Sequence, residues 1–332
     1  MENLRAQLVL SGIVAFICFT GCYKNVEEID TPQAPLTKND SLKAYKDSPH
    51  RLFVGFLVGG DDPAEAFNPA NAPDSVDFLE FFAGRDTNRA HWRAAQAKGT
   101  RIVVCHFLQD AYFDGSSKDP ATPTSTSTLA SSASTYDHWA SAMYQEHIVK
   151  DSLDGIDLDI EYWTIDNKNV TSSSYPNLLK SVAKYFGPQS TSPLTLSMGK
   201  KPVFFYDTDG SLDGNKLTGD SSNYDYVLFQ SYTTGNHYWG GSGTTGFGSI
   251  IKGYGANKLI YLVNGDSWIH ADGTQDEPNS DAKVTASLLS YAKWAKDNTA
   301  AGIGAYRMSR DYNHTPHFAV SRQAIQIMNP AK

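Results

Sequence analysis

The chain is poor in cysteine, in net positive charge and in long apolar runs, and each shortage removes a class of protein. Three cysteines in 332 residues cannot build a disulfide framework. Lys and Arg total 28 against 36 Asp and Glu, a formal net charge of −8 with no basic stripe interrupting it. Nucleic acid is therefore excluded as a partner, because phosphate binding needs clustered Lys and Arg. The apolar stretch Leu8–Phe19 is too short to span a bilayer. A Gly-rich phosphate turn is missing as well: Gly59-Gly60 is followed by Asp61-Asp62, which repel a phosphate. What remains is a chain with 40% hydrophobic residues, enough for a large core, and 12% aromatic residues, 18 Tyr and 6 Trp among them. Such rings fill a core and also suit stacking on flat apolar ligand faces. A monomer is expected.

The N-terminus is more specific. Arg5 precedes the Leu8–Phe19 run, which has the length of a signal h-region. It ends in Phe19-Thr20-Gly21-Cys22, which resembles the lipobox of bacterial lipoproteins. That resemblance implies cleavage before Cys22 and acylation of its thiol; the alternative is an ordinary signal peptide with an incidental cysteine. Cys18 would be discarded, leaving Cys105 in an apolar strand-like run, where an inert buried thiol is expected rather than a nucleophile. Residues 23–50 are polar, carry Pro32, Pro35 and Pro49 and show no periodicity, so they read as a tether. The expected organisation is a signal peptide over 1–21, an acylated cysteine and flexible tether over 22–50, and one domain over 51–332. The acidic patch Glu27-Glu28-Ile29-Asp30 resembles the export signal of surface lipoproteins in glycan-foraging Gram-negative bacteria. It implies an outer-membrane, outward-facing position.

From Arg51 the chain alternates short apolar strands with helical stretches. The expected strands are Leu52–Leu57, Val76–Phe82, Arg101–Phe107, Gly155–Glu161, Leu194–Met198, Tyr226–Tyr232, Leu259–Val263 and Gly302–Met308. Several are near-continuous apolar runs, as parallel strands covered by helices should be. Amphipathic segments Arg89–Lys98, Tyr136–Lys150, Tyr175–Phe186 and Val284–Asp297 lie between them. This alternation predicts a single-domain (β/α)8 barrel, an α/β TIM-barrel fold, more than an open doubly wound sheet. Gly115–Thr135, rich in Ser, Thr, Ala and Pro, is either a passive loop or a lip at the C-terminal rim, where barrels build their sites.

The chemistry concentrates in Asp154-Gly155-Ile156-Asp157-Leu158-Asp159-Ile160-Glu161. Alternate side chains on a strand share a face, so Asp157, Asp159 and Glu161 project together, with Glu161 nearest the rim. Mutual repulsion raises at least one pKa and makes the set share a proton. Glu161 then serves as a protonated general acid with Asp159 as its charged partner. A calcium or magnesium site is the alternative, but three acids along one strand encircle an ion poorly and no His cluster accompanies them. No metal is expected.

Asp154, Asp157, Asp159 and Glu161 complete a D-x-x-D-x-D-x-E pattern that resembles the signature of glycoside hydrolase family 18. Strand six ends Phe229-Gln230-Ser231-Tyr232, similar to that family's Gln-x-Tyr element. The resemblance implies retaining, substrate-assisted hydrolysis, in which the 2-acetamido oxygen of the substrate replaces the usual enzyme nucleophile and forms an oxazolinium intermediate. By motif position Glu161 protonates the leaving oxygen and later activates water. Asp159 orients the acetamido group, Asp157 shares a proton with Asp159, Tyr232 donates to the acetamido carbonyl, and Gln230 helps hold the sugar. Asp154 joins the substrate-binding set. No organic cofactor is implied.

Two branches of the family compete. Chitinases usually carry a Trp near the end of strand eight, where this chain reads Gly304-Ala305-Tyr306-Arg307-Met308. The strand-four pattern is also typical of endo-β-N-acetylglucosaminidases, whose substrates are N-glycans of glycoproteins, cut in the chitobiose core. The latter branch is expected, with a chitinase or a weakly active glycan-binding surface lipoprotein as alternatives. Trp239, beside His237 and Tyr238, Asn264 and Trp268 after strand seven, and Arg307 after strand eight are rim candidates for glycan contact. Lys200 and Lys201 are expected to be solvated or paired with the acids.

Overall fold

The computed structural model describes residues 37–60, 62–107, 133–160, 174–209, 221–232 and 254–331. Eight parallel strands close in sequential order into a barrel: β1 (Leu52–Val58), β2 (Phe78–Phe82), β3 (Arg101–Phe107), β4 (Gly155–Ile160), β5 (Val203–Thr208), β6 (Tyr226–Gln230), β7 (Leu259–Asn264) and β8 (Gly302–Tyr306). The ring is completed by β1 on β8, with Leu52 opposite Gly302 and Gly55 opposite Ala305. This is the expected (β/α)8 architecture.

Two-residue alternation sorts the side chains into two cores. One is inside the barrel, where Val54, Phe56, Phe78, Val103, Phe205, Leu228, Ile260 and Leu262 pack together. The other lies between strands and helices and holds Ile156, Leu158 and Ile160 of β4, with Trp92 of helix Arg89–Ala97 and Leu288 and Tyr291 of helix Ser280–Asp297. At the start of β4 only glycine fits, since a Cβ on Gly155 would stand 2.4 Å from the Val203 carbonyl oxygen of β5.

Two expectations fail. The segment Leu194–Met198 is not a strand. It is turn and irregular backbone, closed by Thr195 N–H donating to the Lys200 carbonyl at 2.7 Å, and Leu194 and Leu196 are 56% and 84% exposed. The fifth strand is Val203–Thr208, buried along its whole length. Nor is all of 22–50 a tether. Lys38–Asp47 forms a helix whose start is fixed by a capping box between Thr37 and Asp40. Lys46 Nζ donates to the Val76 carbonyl at 2.6 Å, and His50 Nε2 meets Asp77 Oδ1 at 2.8 Å. This helix therefore packs at the N-terminal end of the barrel. It buries no side chain of its own, so no hydrophobic period announces it.

Candidate active site

Asp157 and Asp159 point into the barrel from β4, because the intervening Ile156, Leu158 and Ile160 are spent on the outer core. Asp159, the higher of the two, lines a cavity of about 260 Å³ at the C-terminal end. Asp207, Tyr232, Asn264 and Tyr306 converge on the same cavity from β5, the end of β6, β7 and β8. Gln230 Nε2 of β6 donates to Asp159 Oδ1 at 2.9 Å, and the Tyr232 and Tyr306 rings lie 5.9 Å apart. Strands four and six, singled out by their motifs, thus meet in one site. Glu161, Trp239 and Cys22 lie outside the described residues, as does the loop Gly115–Thr135 apart from its last three residues, Ala133 to Thr135, which open a helix.

The electrostatics deepen with depth. Asp157 is fully buried. Burial pushes its carboxyl well above the ordinary range, and the neighbouring Glu80 and Asp159 charges push it further. Cys105 of β3 sits opposite Asp157 in register, and its thiol is also pushed well up by burial and then by the surrounding acids. Such a shift favours the neutral thiol over the nucleophilic thiolate, although the residue is half-buried and not fully enclosed.

Two acids of this interior were not anticipated. Glu80 of β2 is fully buried, and burial raises its carboxyl well above the ordinary range. Its signal was available: one acid among Phe78, Leu79, Phe81 and Phe82 has to face some polar feature of the barrel interior. Asp207 stands beside Asp159 in the β4–β5 register and was lost because strand five was misplaced. Tyr306, too, lines the cavity, from the end of strand eight where chitinases usually carry a Trp. Among the described residues no group of three or more His, Cys, Asp and Glu is arranged to hold a metal ion.

Asp154, expected to bind substrate, does not reach the site. It is fully buried, one residue before β4, at the opposite end of the barrel. Its carboxylate accepts from Gln96 Nε2 at 2.7 Å and Ile102 N–H at 2.8 Å, and from the Ser197 hydroxyl. Three donors make it a structural brace between β3, β4 and the turn before β5. Arg307 is likewise committed. It donates from Nε to Asp62 Oδ1 at 3.0 Å and from Nη1 to Asp266 Oδ1 at 2.9 Å, and it is Asp266 that lines the cavity. Asn264 reaches the cavity while its Oδ1 accepts from the Asp266 N–H at 2.9 Å. Trp268 is buried, its Nε1 donating to Thr285 Oγ1 at 3.1 Å, so it is core and not rim. Lys200 and Lys201 precede β5, not follow it. Lys200 pairs with Asp47 and Lys201 Nζ donates to the Pro188 carbonyl at 2.9 Å, far from the acid column.

Comparison with known proteins agrees with the barrel fold. Residues 61–304 match the family described as the TIM-barrel domain of the endo-β-N-acetylglucosaminidase EndoS. Endo-β-N-acetylglucosaminidase F2 of Elizabethkingia meningoseptica is 25% identical over 368 residues, covering 99% of this chain and 100% of that protein. An endo-β-N-acetylglucosaminidase of Bifidobacterium longum subsp. infantis is 29% identical over 183 residues, 53% of this chain and 29% of that protein. In fold, the chain is similar to the apo endo-β-N-acetylglucosaminidase of Cordyceps militaris, with a TM-score of 0.63 and 19% identity over 88% of this chain and 95% of that one.

Proposed function

The chain belongs to the EndoS-type TIM-barrel family of endo-β-N-acetylglucosaminidases, and from that premise we propose that it hydrolyses the β-1,4 bond in the chitobiose core of N-linked glycans. The observation that carries this reading is the placement of Asp159 in a rim cavity, held by Gln230 and faced by Tyr232. A site of this form suits a substrate that brings its own nucleophile, the 2-acetamido oxygen, in place of the second enzyme carboxylate of ordinary retaining glycosidases.

In this mechanism Glu161, next after Ile160 at the end of β4, donates a proton to the leaving glycosidic oxygen and then takes one from water. Asp159 orients the acetamido N–H and offsets the positive charge of the oxazolinium ring. Gln230 fixes the Asp159 carboxylate. Tyr232 donates to the acetamido carbonyl, and Asp157, beneath Asp159, holds the shared proton. Asn264 and Asp266 at the cavity edge offer the sugar polar contacts, and Trp239 is the proposed stacking residue.

The test is digestion of a glycoprotein with defined N-glycans beside chitin oligomers, with both products weighed. Release of a glycan ending in one N-acetylglucosamine supports the proposal. Cleavage of chitin oligomers alone replaces it with a chitinase, and binding without cleavage replaces it with a lectin-like protein.

The chain is further proposed to be an outer-membrane lipoprotein facing outward, anchored through Cys22. The support is the apolar run Leu8–Phe19 leading into Thr20-Gly21-Cys22 and the acidic patch after it. Incorporation of labelled palmitate that persists in Cys22→Ser overturns the anchor.

A further inference from the structure

Glu80 takes no part in the mechanism above, yet it stands at the foot of the acid column. On β2 it is in register with Phe56 of β1 and Val103 of β3, between Phe78 and Phe82 of its own face. It is 0% exposed. Neither of its carboxyl oxygens, and neither of those of Asp157, has an aligned hydrogen-bond partner among the described residues. The two carboxyls nonetheless lie within range of each other, the contact pulling Glu80 down and pushing Asp157 up.

The groups that act most strongly on Glu80 from the surrounding strands are acids: Asp157 and Asp159 of β4 and Asp207 of β5. Cys105 of β3 joins them at Asp157, as a neutral thiol. None of the groups that act most strongly on Glu80 or Asp157 is a cation. A buried carboxylate whose strongest neighbours are other acids, and whose donor at Asp157 is the weak Cys105 thiol, is strongly disfavoured and keeps its proton instead. Two such groups side by side titrate as a pair, and the second proton is the harder to remove. Asp159, by contrast, has the Gln230 amide donating to it, which favours its charged form.

We propose that Glu80 is a positioning residue of the reaction: it shares a proton with Asp157, keeps that proton in the column, and so leaves Asp159 as the carboxylate that faces the substrate with its negative charge. The proton passes only between the carboxyl oxygens of Glu80 and Asp157, a transfer that leaves their summed charge unchanged. This inference rests on the glycosidase reading.

The experiment is the pH dependence of kcat and kcat/KM for the full chain on an N-glycopeptide, in wild type, Glu80→Gln and Glu80→Asp. With Gln at 80, Asp157 loses the charge that opposes its ionisation and faces an amide that can donate to its anion. Both effects lower the pH at which it ionises beside Asp159. The basic limb of kcat is expected to move down by about one pH unit or more, with KM on the plateau little changed, and Glu80→Asp is expected to restore part of the shift. Superimposable pH profiles overturn the proposal, even if kcat falls uniformly. Should Glu80→Gln not fold, infrared difference spectra of wild type against Asp157→Asn decide: a protonated-carboxyl band that persists above neutral pH supports the pair, and its absence sinks it. Those spectra also separate the two ideas, because a wild type that cleaves no glycan removes the glycosidase reading while the band still reports the proton.

Discussion

Gln230 of strand six reaches across the barrel and donates its side-chain amide to Asp159 of strand four at 2.9 Å. The contact joins the two motifs in one hydrogen bond and orients the Asp159 carboxylate. Gln230→Leu removes the donor without removing bulk. A hydrogen bond to a charged group contributes about 1.5–3 kcal/mol, so kcat/KM is expected to fall about 10- to 100-fold. Steady-state kinetics on a glycopeptide, with thermal unfolding as a control for folding, checks this. A kcat/KM within a factor of about two of wild type removes Gln230 from the mechanism.

Arg307 is expected to matter for stability and little for the sugar. Its guanidinium bridges Asp62, whose side chain is 3% exposed, and Asp266. Arg307→Leu leaves the buried Asp62 with the Ser309 hydroxyl and Arg310 Nε at 3.5 Å as its remaining partners, a loss of about 1.5–3 kcal/mol, read as a lower midpoint in urea. KM is expected to stay near the wild-type value. A raised KM with unchanged unfolding would return Arg307 to the list of glycan contacts.

Asp154→Ala strands the Ile102 N–H and one hydrogen of Gln96 Nε2, whose other bond to the Ser152 carbonyl remains, and takes the acceptor from the half-buried Ser197 hydroxyl. Each orphaned buried group costs about 1–3 kcal/mol, so the variant is expected to unfold readily while its folded fraction keeps the wild-type kcat. Active-site titration beside calorimetry separates the two quantities. A stable but inactive Asp154→Ala would place this residue back in the chemistry.

Stability should also carry a histidine signature. His314 lies between Asp311 Oδ1 at 2.8 Å and Asp281 Oδ1 at 3.0 Å. The Asp311 hydrogen bond, outweighing burial, raises the imidazole above its ordinary value. A pKa raised on folding means that the native state holds the proton more tightly than the unfolded chain. The contribution is therefore full below the ordinary histidine value and is lost as pH climbs through the raised one. The unfolding midpoint of wild type minus that of His314→Gln should be positive near about pH 5 and shrink toward about pH 8. A difference that is constant with pH contradicts the assignment.

How far the sequence could be read follows from the physics of each element. Strand four was legible because Ile156, Leu158 and Ile160 alternate with acids, and Gln230 and Tyr232 repeat that spacing on strand six. Strand five was not, because Leu194, Leu196 and Met198 alternate with small polar residues in a turn, while Val203–Tyr206 is buried on both faces and shows no alternation. That one misplacement hid Asp207 and put Lys200 and Lys201 at the wrong end of the barrel. Asp154 was misassigned for a related reason. A motif gives spacing along the strand but not which of its members fall below the barrel floor. Arg307 is a matter of partners: no local pattern shows that Asp62, 245 positions away, claims its guanidinium.

The central claim is that the strand-four acids, with Glu161 as proton donor, cut between the two core N-acetylglucosamines. The most direct measurement is mass analysis of an Asn-linked glycopeptide after incubation with wild type and with Glu161→Gln. The account predicts that wild type leaves one N-acetylglucosamine on Asn, and that Glu161→Gln leaves the glycopeptide intact while still binding it. Normal turnover by Glu161→Gln, or release of the whole glycan from Asn by wild type, would contradict it.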